Sequence, residues 1–160
     1  MRLYILSLLF CLASTGYSQS VKMKITGVTA ASGEDVLAFQ TVVNVPVTTG
    51  SGGVGTGAPA FDAIEFKKVN NTSTNVLFQR SLAGTYTTDV TFEFTDAGGT
   101  MYYKIVIREV AISKFSYLVP ECNGCTKMYH DIKMVFNKIE VTDVATGNTL
   151  KYNLTNRTFY

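Results

Sequence analysis

The chain has no tryptophan, one histidine and only 16% charged residues in a length of 160. Each shortage closes off a class of function. Tryptophan offers the largest aromatic face, and its absence weakens any reading as a carbohydrate-binding module or sugar-active enzyme. The single histidine, His130, is the only imidazole a serine nucleophile could use as its base, and no Gly-x-Ser-x-Gly turn accompanies it. Charge lies below the roughly 25% of an ordinary soluble domain. Either threonine and asparagine carry the solubility, or other chains cover part of the surface. The formal net charge is +2, and without Arg2 the balance is 13 basic against 12 acidic side chains. Nucleic-acid recognition needs a basic footprint, which this balance does not supply. Neither an internal repeat nor a linker interrupts the chain, and 160 residues make one domain.

The motifs that remain are each incomplete. Gly50 to Gly57, GSGGVGTG, is glycine-rich like a phosphate loop. A phosphate loop precedes a helix and ends in Lys-Ser/Thr, whereas Ala58, Pro59 and Ala60 follow here and then a strand, so a flexible loop is expected. Cys122, Cys125 and His130 form C-x2-C-x4-H, three zinc ligands where a structural site takes four, with only Glu121 or Asp131 near enough to complete it. No metal or other cofactor is therefore expected, and His130 reads as a loop or strand-end residue. Glu34 with Asp35, and Glu65 with Glu93, are the carboxylate pairs that glycoside hydrolysis would need. Carboxylates on alternating strands more often make a solvated face. Tyr102, Tyr103, Tyr117 and Tyr129 could build a sugar platform, although tyrosines on strands are mostly packing residues. No catalytic constellation emerges.

The N-terminus has the grammar of a cleaved leader: Arg2 supplies charge, Leu3 to Ala13 is almost continuously apolar, and Gly16 and Ser18 are small. The expected division is a signal peptide at residues 1–18 and a mature domain at 19–160, secreted to the periplasm or beyond and free of the membrane. Cys11 falls inside the leader's apolar core. Export leaves Cys122 and Cys125, in the order Cys-Asn-Gly-Cys, in an oxidising setting. A loop-closing disulfide is the favoured reading. An interchain bond comes next, and a catalytic dithiol last, because a reactive thiol wants a helix N-terminus and Pro120, Asn123 and Gly124 spell a turn.

Alternating apolar residues mark strands at Val21 to Val28, Val36 to Val47, Met101 to Val110, Ile112 to Val119, Met128 to Val141 and Leu150 to Leu154. In the second of these, Leu37, Phe39, Thr41 and Val43 share one face by period two. The fold class is mainly β: a barrel or sandwich of two sheets with one flanking helix. That helix belongs to the most telling stretch, Phe61 to Phe94. Ile64 and Phe66 alternate with Glu65 and Lys67. Asn70, Asn71, Thr72 and Ser73 then offer N-caps, Val76, Leu77 and Leu82 supply an apolar side, and Gly84 stands where a C-cap is expected. Val90, Phe92 and Phe94 resume a strand.

This order of strand, two lysines, polar cap, short helix, glycine stop and strand resembles the haemolysin-coregulated protein (Hcp) family, the inner-tube proteins of bacterial type VI secretion systems. Lys24-Ile25-Thr26-Gly27-Val28, the long loop at Gly50 to Pro59, and Phe136-Asn137-Lys138-Ile139 extend the likeness over most of the chain after residue 20. The resemblance implies a non-catalytic β-barrel subunit whose partners are its own copies in stacked hexameric rings. It also implies a spike protein, a contractile sheath and small effectors carried in the lumen. Gly50, Gly52, Gly53, Gly55 and Gly57 would lie on the loop that reaches toward the next ring. The leader departs from this pattern, because tube subunits assemble in the cytosol. An exported Hcp-like or β-sandwich binding module, acting at the cell surface outside any injection machine, is the alternative.

Overall fold

The computed structural model describes residues 19–45, 47–50, 53–56, 60–119 and 127–160. The expected leader, Cys11, Gly52, Gly57, Glu121 and the pair Cys122 and Cys125 lie outside the described residues.

In chain order the strands are β1 (Ser20–Ile25), β2 (Glu34–Gln40), β3 (Val43–Asn44), β4 (Val47–Gly50), β5 (Gly53–Thr56), β6 (Ala60–Phe61) and β7 (Ile64–Val69). Helix α1 (Thr72–Ala83) follows. After it come β8 (Val90–Thr95), β9 (Met101–Arg108), β10 (Ala111–Leu118), β11 (Tyr129–Val135), β12 (Lys138–Asp143), β13 (Thr149–Asn153) and β14 (Thr158–Phe159). Ten strands make one sheet in the order β10-β11-β7-β2-β1-β8-β9-β12-β13-β14, and β3 with β6 and β4 with β5 form two small ribbons. Every strand pairing is antiparallel.

The chain is mainly β with one flanking helix, as its pattern implies. Its two layers are the halves of one continuous sheet rolled on itself. Phe66 on β7 and Phe92 on β8 are three strand positions apart, which would separate them by about 14 Å in a flat sheet. Their rings lie 5.5 Å apart. Rolling brings Met23, Ile25, Ile64, Phe66, Phe92, Ile105, Ile107, Ile132 and Met134 into a single core. The roll does not close: β10 and β14 are the two edges. Phe61, on the β3–β6 ribbon, packs on Phe136 at 6.4 Å and Tyr152 at 5.5 Å.

Two expected strands are interrupted. The run from Val36 to Val47 stops at Gln40 and resumes as short ribbons. Within β2, Val36 faces Lys68 while Ala38 faces Lys67, so the strand carries an extra residue there. This bulge turns Val36 and Phe39 to the core and leaves Leu37 53% exposed. The face that strict alternation gave to Leu37, Phe39, Thr41 and Val43 is therefore broken. The run from Met128 to Val141 is two strands: β11 pairs with β10 and β7, and after Phe136 and Asn137 the chain crosses to place β12 between β9 and β13. The expected division between β9 and β10 is present: β9 ends at Arg108, and Glu109, at φ +55°, makes the turn into β10.

Helix α1 begins and ends where its caps stand. Thr74 Oγ1 accepts the Asn71 backbone N–H at 3.0 Å, and Gly84 adopts φ +59°, a conformation glycine takes at little cost. Its buried face differs from the expected one. Ser73, Thr74 and Leu77 are buried, whereas Leu82 is 74% exposed. Residues 77 and 82 are five apart, far from the three- or four-residue spacing that shares a helical face.

Candidate functional site

The most concentrated chemistry lies beneath the N-terminus of α1. On β7, Ile64, Phe66 and Lys68 share the inward face, and Lys68 is fully buried. Its ammonium donates to Asn71 Oδ1 at 2.6 Å, Ser73 Oγ at 2.7 Å and Thr74 Oγ1 at 3.3 Å, and it pairs with Glu34 Oε2 at 2.8 Å. Ser73 Oγ donates to the same Glu34 oxygen at 2.6 Å. The network joins β2, β7 and the first turn of the helix.

Burial alone would push the Glu34 carboxyl up. Hydrogen bonds from Lys68, Ser73 and Asn71, with the lysine's charge, outweigh burial and hold it below its ordinary value. Burial pulls the Lys68 ammonium down while Glu34 pulls it up. The net direction for Lys68 is downward, while the acceptors around Nζ and the carboxylate beside it favour its charged form. Lysine beside serine is also the pairing of some hydrolases. Here both side chains are buried, and the hydroxyl is already spent between the ammonium and the carboxylate. The arrangement clamps a helix and offers no approach to a substrate.

His130 sits directly across from Lys68 in the β11–β7 ladder and is fully buried. It is the second residue of β11, a strand-end position as its sequence context suggested, but its side chain points into the interior. Its ring packs on Phe115 at 5.2 Å and Tyr117 at 5.0 Å, and Phe78 of α1 packs on the same two rings. Nε2 lies 3.3 Å from Asn70 Oδ1, while the buried Nδ1 has no hydrogen-bond partner.

The other candidates fall apart in space. Glu34 and Asp35 point to opposite faces of β2, with Asp35 paired to Lys22 at 3.4 Å. Glu65 pairs with Lys133 at 2.6 Å and Glu93 with Lys24 at 2.7 Å, so each carboxylate has its own lysine. Asp131 neighbours His130 in sequence but faces the other side of β11, toward Lys67 at 3.9 Å. Tyr102 and Tyr103 alternate across β9, while Tyr117 and Tyr129 belong to β10 and β11 at the far end of the sheet, so the four make no common platform. Among the described residues, no cluster of three or more His, Cys, Asp or Glu could hold a metal, and no helix is long and apolar enough to cross a membrane. Gly50, Gly53 and Gly55 lie on the β4–β5 ribbon, a hairpin in which Val47 pairs with Thr56 and Gly50 with Gly53. Valine and threonine between the glycines favour the extended backbone where a flexible loop was expected.

A family model described as type VI secretion system effector, Hcp, matches residues 21–142. The chain belongs to the Hcp family. The match runs from β1 nearly to the end of β12 and includes the buried clamp. Among solved structures, Hcp1 from Salmonella typhimurium superposes with a TM-score of 0.74 at 14% identity, covering 89% of this chain and 99% of that one. A protein described as a type six secretion system protein gives 0.77 at 14% identity, covering 89% and 100%. A type VI secretion system effector from Yersinia pestis gives 0.64 at 18% identity, covering 83% and 98%. At such identities the likeness is one of fold. No protein of curated function matches the sequence. Membership places the chain among the tube proteins of type VI secretion, and a site whose polar groups are spent on one another accords with a structural role.

Proposed function

We propose that this Hcp-family chain is a non-catalytic structural subunit that assembles with its own copies into a closed ring, six to a ring, and that rings stack. The observation that carries the reading is an open ten-stranded sheet, with β10 and β14 as unpaired edges, in a chain matched to the Hcp family over residues 21–142. Unpaired edges invite strand pairing, and ring closure removes them. The β4–β5 ribbon, carrying Gly50, Gly53 and Gly55, with Gly52 between its strands in sequence and Gly57 after them, is the element proposed to touch the next ring. Spike, sheath and small lumenal effectors are the further partners this role would bring.

Light scattering and negative-stain microscopy of residues 19–160 test the proposal. Rings are the expected result, and deleting residues 48–55 should spare the single ring while reducing stacking. A strict monomer at high micromolar concentration would overturn it.

A second reading is favoured by the leader-like residues 1–18. An exported copy would act at the cell surface or in the medium, outside any injection machine, with the same fold. Export also motivates a Cys122–Cys125 disulfide. Non-reducing mass spectrometry should find the bridge within one chain, and free thiols or a reducible dimer would count against it.

A further inference from the structure

We propose that His130 is an acid-sensitive latch for helix α1: protonation of its buried ring below neutral pH loosens the helix from the sheet while the sheet itself stays formed.

The geometry defines which form of the ring fits. Nε2 faces Asn70 Oδ1 at 3.3 Å and donates to it, which leaves Nδ1 as the bare nitrogen of a neutral imidazole. Nδ1 is buried and has no hydrogen-bond partner. A proton added there becomes a buried N–H with no acceptor, on a ring that has acquired charge.

The surroundings make that charge costly. From β7, Lys68 stands directly opposite in the ladder and is already cationic. The carboxylate that faces Lys68, Glu34 of β2, is committed to it at 2.8 Å and to Ser73 at 2.6 Å. From β10 the neighbours are Phe115 and the Tyr117 phenol ring. The only charged residue of α1 is Arg80 in the last turn, held by Thr87, and the turn near this site supplies the uncharged Asn71, Ser73 and Thr74. On β11 itself, Asp131 faces the opposite side with Lys67. Among the described residues around the ring, no anion is free to receive a second cation. Burial, and then the nearby Lys68 charge, hold the His130 pKa below its ordinary value. The sign follows: stability is full above pH 6.5 and falls as pH drops toward the folded-state pKa.

The helix is the part that yields. His130 shares two adjacent strand ladders with β10 and β7, whereas α1 is held without a ladder, through Leu77, Phe78, the Lys68 network and Arg80 on Thr87. His130 is the chain's single histidine, the residue type whose ordinary pKa falls in this window.

The test is amide hydrogen exchange of the full mature chain between pH 7.5 and 5.0, corrected for intrinsic rates and read separately on α1 and on β1 and β8. The α1 amides should lose protection on acidification, about tenfold for each pKa unit between unfolded and folded histidine, before the β1 and β8 amides change. H130Q, which keeps a donor toward Asn70, and H130F, which keeps the aromatic packing, should both hold α1 protection constant over the same range. Protection of α1 in the wild type that is flat with pH would overturn the proposal. So would loss in step with β1 and β8, or an unchanged profile in whichever variant folds.

Discussion

The two ends of the rolled sheet are built on opposite principles. Around β1, β2 and β8 the interior is aromatic: Phe39, Phe66, Phe92 and Phe94 pack at 4.9 to 5.5 Å, edge toward face. Around β7, β11 and α1 it is polar, with Lys68, Glu34, Ser73, Thr74 and His130 in one buried layer. The aromatic end is held by contact area, which is non-directional and tolerant. The polar end is held by directed bonds, each of which leaves a buried group unsatisfied if it breaks. Apolar burial thus suffices to close the roll. Positioning a short helix without ladder hydrogen bonds takes specific partners.

Truncation at the aromatic end should have the largest effect. Phe92 is fully buried and touches two other rings, so Phe92→Ala should cost about 3–5 kcal/mol in a denaturant titration. Adding Phe39→Ala should make matters worse, because both changes enlarge the same cavity. Loss within about 0.5 kcal/mol of the wild type would mean that the rings do not close the sheet.

At the polar end the pattern should invert. Lys68→Met leaves Glu34 without its counter-charge and should cost about 3 kcal/mol, the lower end for breaking a buried pair, since Glu34 retains some solvent contact. The double variant Lys68→Met, Glu34→Leu should recover most of that loss. A double variant as unstable as the sum of the singles would show that the two charges are not coupled.

A smaller effect should appear on acidification. The Glu34 carboxyl is held below its ordinary value, so its contribution is complete above pH 4.5 and is lost as pH falls through the folded pKa. Melting temperature between pH 5 and 3 should fall in the wild type and flatten in Glu34→Gln. Parallel curves would place the acid sensitivity elsewhere. Away from both ends, the exposed Lys133–Glu65 pair gives no handle on stability, since solvent screens it.

Much of the fold was legible because its rules are local. Period-two alternation located β1, β7, β8 and β9, Gly84 marked the helix end, and the run Asn70 to Ser73 contained the N-cap, which the structure places at Asn71. The inward lysine was legible too, had the alternation Ile64, Phe66, Lys68 been followed one step further. A lysine in a core position, two residues before a run of Asn, Thr and Ser, signals a buried cation with its acceptors. Other features left no local trace. The bulge at Leu37 adds one residue without changing the hydrophobic character of the run. The break at Phe136 and Asn137 sits inside a sequence that reads as one strand, because both halves are apolar on one side.

By itself, then, the sequence determined the secondary structure class, the caps, the order of elements and the family they belong to, all of which depend on neighbours within a few residues. Tertiary structure decided that one sheet rolls in place of two sheets stacking, that β11 and β12 part company, and that Glu34, Lys68, Ser73 and His130 meet. These depend on contacts between residues up to about a hundred positions apart, since Glu34 and His130 belong to strands joined only through β7. Such meetings follow from register and from where the chain must cross. The energy of a register belongs to two strands at once, so neither strand's own residues can state it.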